Sequence, residues 1–310
     1  MSRLAVRPGR PEGSSRQELS VGPPLHNERV PMRSILVTVD DTPSAVAARG
    51  LAAALARQCG AQIRGVTALD VSDLDRVEPV PIGGVQYAYD RLQHRKKLAD
   101  ERRARISELP DVFRRSLADE GMDAVCSTME ADVRDGLLRM IETCDLVVTG
   151  RDAEFHLEAV EGVTSLVHHI IAKGCRPVVV SGPEWNEKGP VLVAYDGSAP
   201  AAKALQVAAL MGIFGSSGAR ILSIGREQSA AMSVAERARS FLALHGVDAD
   251  LEAVATTENP ADVLLRRASE TGARLLVMGA FGHRGFREIL FGSTTRHLFD
   301  SAPIPLFIYH

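Results

Sequence analysis

The sequence predicts an α/β protein made of two tandem copies of an open, five-stranded parallel sheet with helices on both faces. Three observations carry that prediction. Short apolar runs such as Ile35-Leu36-Val37-Thr38-Val39 and Leu275-Leu276-Val277-Met278 alternate with longer segments of helical character, the pattern of β-α-β units around a sheet buried on both sides. The order of these elements then occurs twice. Finally, 310 residues are long for one domain and sufficient for two, each with its own core.

Residues 1–31, rich in Pro, Gly, Ser and Arg, show no apolar periodicity and are expected to form a disordered tail. Arg3, Arg7, Arg10 and Arg16 suggest an organelle leader, but Glu12, Glu18 and the prolines argue against one. Met32, just before the first strand, offers a second start. The first copy is expected over residues 33–180. Its first strand runs to Val39, then Asp40-Asp41 and the cap pair Thr42-Pro43 open an alanine-rich helix that ends near Gly60. Ile63 to Leu69 is the second strand. A Pro/Gly-rich turn, Pro79 to Gly84, leads into a long charged helix from about Tyr87 to Ala118. A strand from Ala124 to Met129, a helix from Val133 to Glu142 and the strand Asp145 to Gly150 follow, and Pro177-Val178-Val179-Val180 closes the copy.

Residues 181–189 read as a linker to a second copy over 190–310. There Val191 to Tyr195, Asp196-Gly197-Ser198 and an apolar helix from Pro200 to Met211 repeat the opening. Arg220 to Ile224, Ala249 to Ala255, a helix capped by Asn259-Pro260, Leu275 to Met278, and the strand after Pro305 complete it. Asp40 pairs with Asp196, a shift of 156, and Gly150 with Gly279, a shift of 129, so the first copy holds 156 − 129 = 27 extra residues between these landmarks. They fall between its second strand and Gly121.

One stretch carries the chemistry. Gly279-Ala-Phe-Gly282-His-Arg-Gly-Phe-Arg-Glu-Ile-Leu-Phe-Gly292-Ser293-Thr294 follows an apolar strand and opens an apolar segment, Thr294 to Phe299, of helical character. Glycine at the carboxyl end of a strand lets backbone approach a ligand, because no Cβ intervenes. A helix N-terminus carrying Gly, Ser and Thr offers unpaired N–H groups and hydroxyls to a phosphate. Glycines that only make turns are the alternative. Neither G-x4-G-K-[ST] nor a G-x-G-x2-G opening a helix after a first strand is present.

At these residues the chain resembles the universal stress protein family, whose ATP-binding members carry G-x2-G-x9-G-[ST]; every fixed position of that pattern is filled here. The resemblance spans roughly residues 33 to 310. It implies two tandem Rossmann-like domains of the flavodoxin-like, adenine nucleotide alpha hydrolase-like kind, each with strand order 3-2-1-4-5. It also implies copies packed face to face with the last strands near the seam. For the ligand it implies ATP, with Mg2+ as an optional companion, and carries contacts onto Asp196 near the nucleoside or its metal and onto Ala194 and Gly225 near adenine and ribose. Phosphate contacts fall on Gly279, Gly282, Gly292, Ser293 and Thr294, with Met278 beside them and Arg284 in the same loop. Asp196 as a turn former before a Ser198 cap is an equal alternative.

The first copy departs from the pattern. Ala153 stands where the second glycine belongs, Gly162 comes one residue early, and Asp152, Glu154, Glu158 and Glu161 place negative charge where a polyphosphate would lie. One nucleotide site per chain is therefore expected, in the second copy.

Composition narrows the partners. Hydrophobic residues make up 45% and charged residues 24%, with net charge −3, which gives no electrostatic basis for nucleic acid or an acidic membrane. The basic run from Arg91 to Arg105 is interrupted by Asp100 and Glu101 and reads as a solvated helix face. Cys59, Cys126, Cys144 and Cys175 fall in no metal-ligand spacing and read as reduced thiols of a cytoplasmic protein. No apolar run approaches the roughly 20 residues that span a bilayer. The expected function is that of a nucleotide-binding stress-response or regulatory protein whose ATP-bound and empty states differ in what they present to an unknown protein partner. A slow ATP hydrolase and a non-binding scaffold are the alternatives, and homodimerisation is a further open reading.

Overall fold

The computed structural model describes residues 32–68, 85–129, 133–153, 166–280 and 292–310. The expected tail, the Pro79 to Gly84 turn, Gly282 and Arg284 lie outside the described residues, as do Glu154, Glu158, Glu161 and Gly162.

The first copy runs β1 (Ser34–Thr38), α1 (Pro43–Cys59), β2 (Gln62–Ala68), α2 (Val85–Ala118), β3 (Ala124–Met129), α3 (Val133–Ile141), β4 (Leu146–Gly150), α4 (Leu166–Lys173) and β5 (Val178–Ser181). The second runs β6 (Val191–Ala194), α5 (Ala199–Leu210), β7 (Ala219–Gly225), α6 (Gln228–Leu244), β8 (Ala249–Ala255), α7 (Pro260–Thr271), β9 (Leu275–Gly279), α8 (Ser293–Ser301) and β10 (Leu306–Tyr309). Within each copy the strands are parallel and take the order 3-2-1-4-5.

The helix starts follow local chemistry. Thr42 accepts from Ala45 N, Ser198 from Ala201 N and Asn259 from Ala261 N, each just ahead of a proline in the first turn, where the absent N–H costs nothing. Gly60 and Gly272 end α1 and α7 in the left-handed conformation, at φ 69° and 58°, which glycine adopts without a Cβ clash.

Helix α6 has no counterpart in the expectations above. It bears no side-chain cap, and its buried stripe is Ala231, Ala235, Ala238 and Leu242, small residues whose 4-3-4 spacing is the only signal. It occupies the place of α2, and 34 residues against 17 account for 17 of the 27 surplus residues.

The copies do not meet face to face. β5 and β10 pair antiparallel, with Phe307 opposite Val179, so the two sheets join edge to edge into one sheet of ten strands. The last strands do form the seam. Pairing them covers two edges that would otherwise present unpaired backbone groups. Side chains alternate between faces: Ile35, Val37, Val193, Val277 and Phe307 pack with α1, α2, α5 and α6, whereas Leu36, Leu192, Leu276, Met278 and Ile308 pack with α3, α4, α7 and α8. Each of these two cores runs through both copies.

Candidate nucleotide site

Strand β6 pairs with β7 on one side and β9 on the other. Chain connection reverses direction there, and ligands of open α/β sheets settle beyond the carboxyl ends of strands at such a point. A cavity of about 270 Å³ opens there, near the lower end of the size usual for small-molecule sites. Its apolar lining comes from Leu222 and Ile224 of β7, Met278 of β9, Leu264 of α7 and Leu298 of α8. Its polar lining comes from Asp196 and Ser198 after β6 and from Ser293, Thr294 and Thr295 in the first turn of α8.

Each polar group is positioned by its element. Asp196 Oδ1 accepts from Ser198 N at 2.9 Å, so this exposed carboxylate does shape the turn that sets the Ser198 cap, while it also lines the cavity. Gly292 is the N-cap of α8 and supplies no side-chain cap bond. The first intrahelical bond is from Arg296 N to Gly292 O, 3.0 Å. The N–H groups of Ser293, Thr294 and Thr295 precede it, in the turn that has no intrahelical acceptors.

The glycines differ in why they lack a side chain. A Cβ on Gly279 would strike the backbone of Pro200 and Ala201 at the start of α5, with Pro200 O at 2.7 Å. That glycine is therefore required by helix packing. Among the described residues a Cβ on Gly292 would meet nothing within 4 Å, and its φ of −56° suits any residue.

Of the residues expected at the site, Ala194, Asp196, Met278, Gly279, Gly292, Ser293 and Thr294 all line this cavity. Gly225 stands outside the lining; its carbonyl accepts from Thr256 N at 2.9 Å, and Ile224 faces the cavity in its place. Sequence reading also left out Leu222, Pro260, Leu264, Thr295 and Leu298. The spacing of 222 and 224 on a strand, and of 260 and 264 on a helix, marks shared faces, but nothing local says which face meets a ligand.

At the equivalent place in the first copy the described residues pack against one another. By the same shifts, Thr38 answers Ala194 and Thr149 answers Met278. These two threonines are 1% and 0% exposed, and Thr38 Oγ1 bonds Thr149 Oγ1 at 2.7 Å. The turn after β4 folds onto the start of α1, where Asp152 N donates to Ser44 Oγ at 3.2 Å. Ala153 is 1% exposed. The remainder of that acidic loop lies outside the described residues.

Among the described residues no group of three His, Cys, Asp or Glu side chains is placed to hold a metal ion. Asp196, the one carboxylate among the described lining residues, is suited to the Mg2+ that accompanies a polyphosphate, since Mg2+ is usually held by one or two carboxylates plus substrate phosphates. Among the described residues Cys59, Cys126, Cys144 and Cys175 form no disulfide; burial pushes the Cys126 and Cys144 thiols up to about 11, far from a reactive thiolate.

Residues 189–310 match the model of the universal stress protein family. That match covers the second copy of the repeat. Beyond that match, the chain is 23% identical over 289 residues to the universal stress protein Slr1230 of Synechocystis, covering 90% of this chain and all of the relative. A universal stress protein from Archaeoglobus fulgidus superposes with a TM-score of 0.63 at 16% identity, covering 89% of this chain and 97% of that one, which places both copies on the fold of this family. Shorter universal stress proteins in complex with dAMP, from Archaeoglobus fulgidus, and with cAMP superpose at TM-scores of 0.33 and 0.35, too distant to speak for a ligand in this chain.

Proposed function

We propose that the chain is a cytoplasmic ATP-binding regulator of the stress response, with one nucleotide site, in the second copy. On this reading residues 33–180 form a structural partner and 181–189 a linker to the binding domain, 190–310. The observation that carries the reading is the cavity at the β6 switch point, lined both by apolar side chains and by the first turn of α8, which has no side-chain cap bond among the described residues. An apolar lining suits a purine, and a helix N-terminus with three hydroxyl residues suits phosphate. Gly292, with no described residue within 4 Å of where its Cβ would lie, leaves room where a side chain would stand between phosphate and backbone.

Leu222, Ile224 and Leu264 would hold the base, and the N–H groups and hydroxyls of Ser293, Thr294 and Thr295 the phosphates. Asp196 would hold Mg2+, and the bound metal would neutralise phosphate charge. Gly282 remains an expected phosphate contact on the family pattern, and Arg284 a candidate phosphate partner from the same loop. Regulation would come from differential affinity: a ligand that favours one arrangement around α8 shifts the population toward it and changes the surface offered to a protein partner. Binding rather than dedicated catalysis is favoured because Asp196 is the one carboxylate among the described lining residues, and it is already engaged by Ser198 N. Among the described residues no helix is long and apolar enough to cross a membrane.

Nucleotide-stripped protein titrated with ATP, AMP and adenosine, with and without Mg2+, tests the reading when product release is followed in the same samples. ATP binding without turnover is expected. Steady release of ADP would make the protein a hydrolase, and no binding at millimolar nucleotide would leave a scaffold.

A further inference from the structure

We propose that Arg151 of the first copy is a positioning residue for the phosphate end of the site in the second copy. It grips the last carbonyls of α8, the helix whose first turn faces the cavity. The inference rests on the nucleotide reading of that cavity.

Arg151 Nη2 donates to Ala302 O at 2.5 Å and Nη1 to Asp300 O at 3.2 Å. Its own backbone N–H is fixed to Ser181 O at 2.8 Å, so the guanidinium is launched from the seam itself. Its Nη2 lies 3.5 Å from where a Cβ on Gly182 would sit, and the fork thus passes over a backbone that leaves it room. Asp300 and Ala302 lie at the C-terminal end of α8, where carbonyls lack intrahelical partners and the helix dipole favours a cation. The phosphate-holding groups are at the other end, roughly 13 Å away for nine residues of α-helix.

A cation at one end and an anion at the other bias the same dipole in the same sense. A second contact across the seam steadies the same helix, with the His168 ring against Phe299 at 4.5 Å between centroids. The tie runs one way. By the 129-residue shift the counterpart of Arg151 is Ala280, whose methyl group has no donor to return the contact to α4. Arg151 immediately follows Gly150, in the turn that would begin a phosphate cradle if the first copy had one. The first copy therefore contributes to the site in the second.

The test is titration of the full chain with ATP and with adenosine, for wild type, Arg151→Met and Arg151→Lys, with melting temperatures recorded. Adenosine occupies the cavity without reaching the α8 N–H groups as a phosphate does. Arg151→Met should weaken ATP about fivefold, a typical coupling between sites, and leave adenosine affinity unchanged. Arg151→Lys, which keeps the charge but loses the fork, should fall between, and it carries the test alone if Arg151→Met does not fold. Equal weakening of ATP and adenosine, or no change in either, would overturn the positioning role while leaving the nucleotide reading intact. A wild-type chain that binds neither overturns both.

Discussion

Gly279 and Gly292 belong to one sequence pattern but answer to different physics. The first is demanded by the backbone of α5 pressing on β9, the second by nothing in the described structure except the cavity it borders. Gly279→Ala should therefore destabilise the protein by about 1–3 kcal/mol, the usual cost of overpacking. Gly292→Val should cost less than about 1 kcal/mol, as a change at an N-cap that lacks a side-chain bond. Urea unfolding of the two variants separates these outcomes, and equal losses would contradict the assignment. Sequence alone reads both as ligand glycines, since spacing cannot distinguish a glycine needed by a neighbouring helix from one needed by a ligand. Asp196 shows the same limit. Its turn role and its place at the cavity are simultaneous, although the residues suggest a choice between them.

Elements were legible where they carry local signals. Thr42, Ser198 and Asn259 precede prolines and cap their helices as the sequence predicts. The strands were evident as apolar runs whose residues reach both faces of a buried sheet. Helix α6 escaped because its cap residue is Glu227, with no side-chain bond, and its buried stripe is mostly alanine. Asn259→Ala removes the bond to Ala261 N, 3.0 Å, and should lower stability by about 1 kcal/mol. It should also disturb the cavity, since the same turn carries Pro260 and Leu264 to the lining. A thermal melt paired with ATP titration reads both effects; unchanged stability would show that the cap bond contributes nothing.

At the scale of the molecule, the seam is what the sequence did not show. Repetition announces two copies, and the apolar ending from Pro303 to Tyr309 announces burial, but neither says that β10 pairs with β5 rather than packing face to face. Pairing of that kind depends on which edges are uncovered, a property of the assembled sheets. Histidines near the seam and on α4 give it a pH signature. Burial pulls the pKa of His168, His169 and His310 below the ordinary 6.5; for His168, Asp300 pushes it back up while Arg296 pushes it further down. The unfolded chain thus binds protons more readily than the folded one. The stability these residues contribute is complete above 6.5 and is lost as pH falls through 6.5 toward the lowered folded values. Urea unfolding at about pH 7.5 and about pH 5.5 should show this loss. His168→Gln should reduce the difference between the two pH values, and an unaltered difference would remove His168 from the explanation.

The central claim is a single nucleotide site, in the second copy, and isothermal titration of nucleotide-stripped protein with ATP and Mg2+ tests it most directly, on wild type beside Gly292→Val. One ATP per chain is predicted for wild type and none for the variant, with its fold intact. Two ATP per chain, or undiminished binding in Gly292→Val, would contradict it.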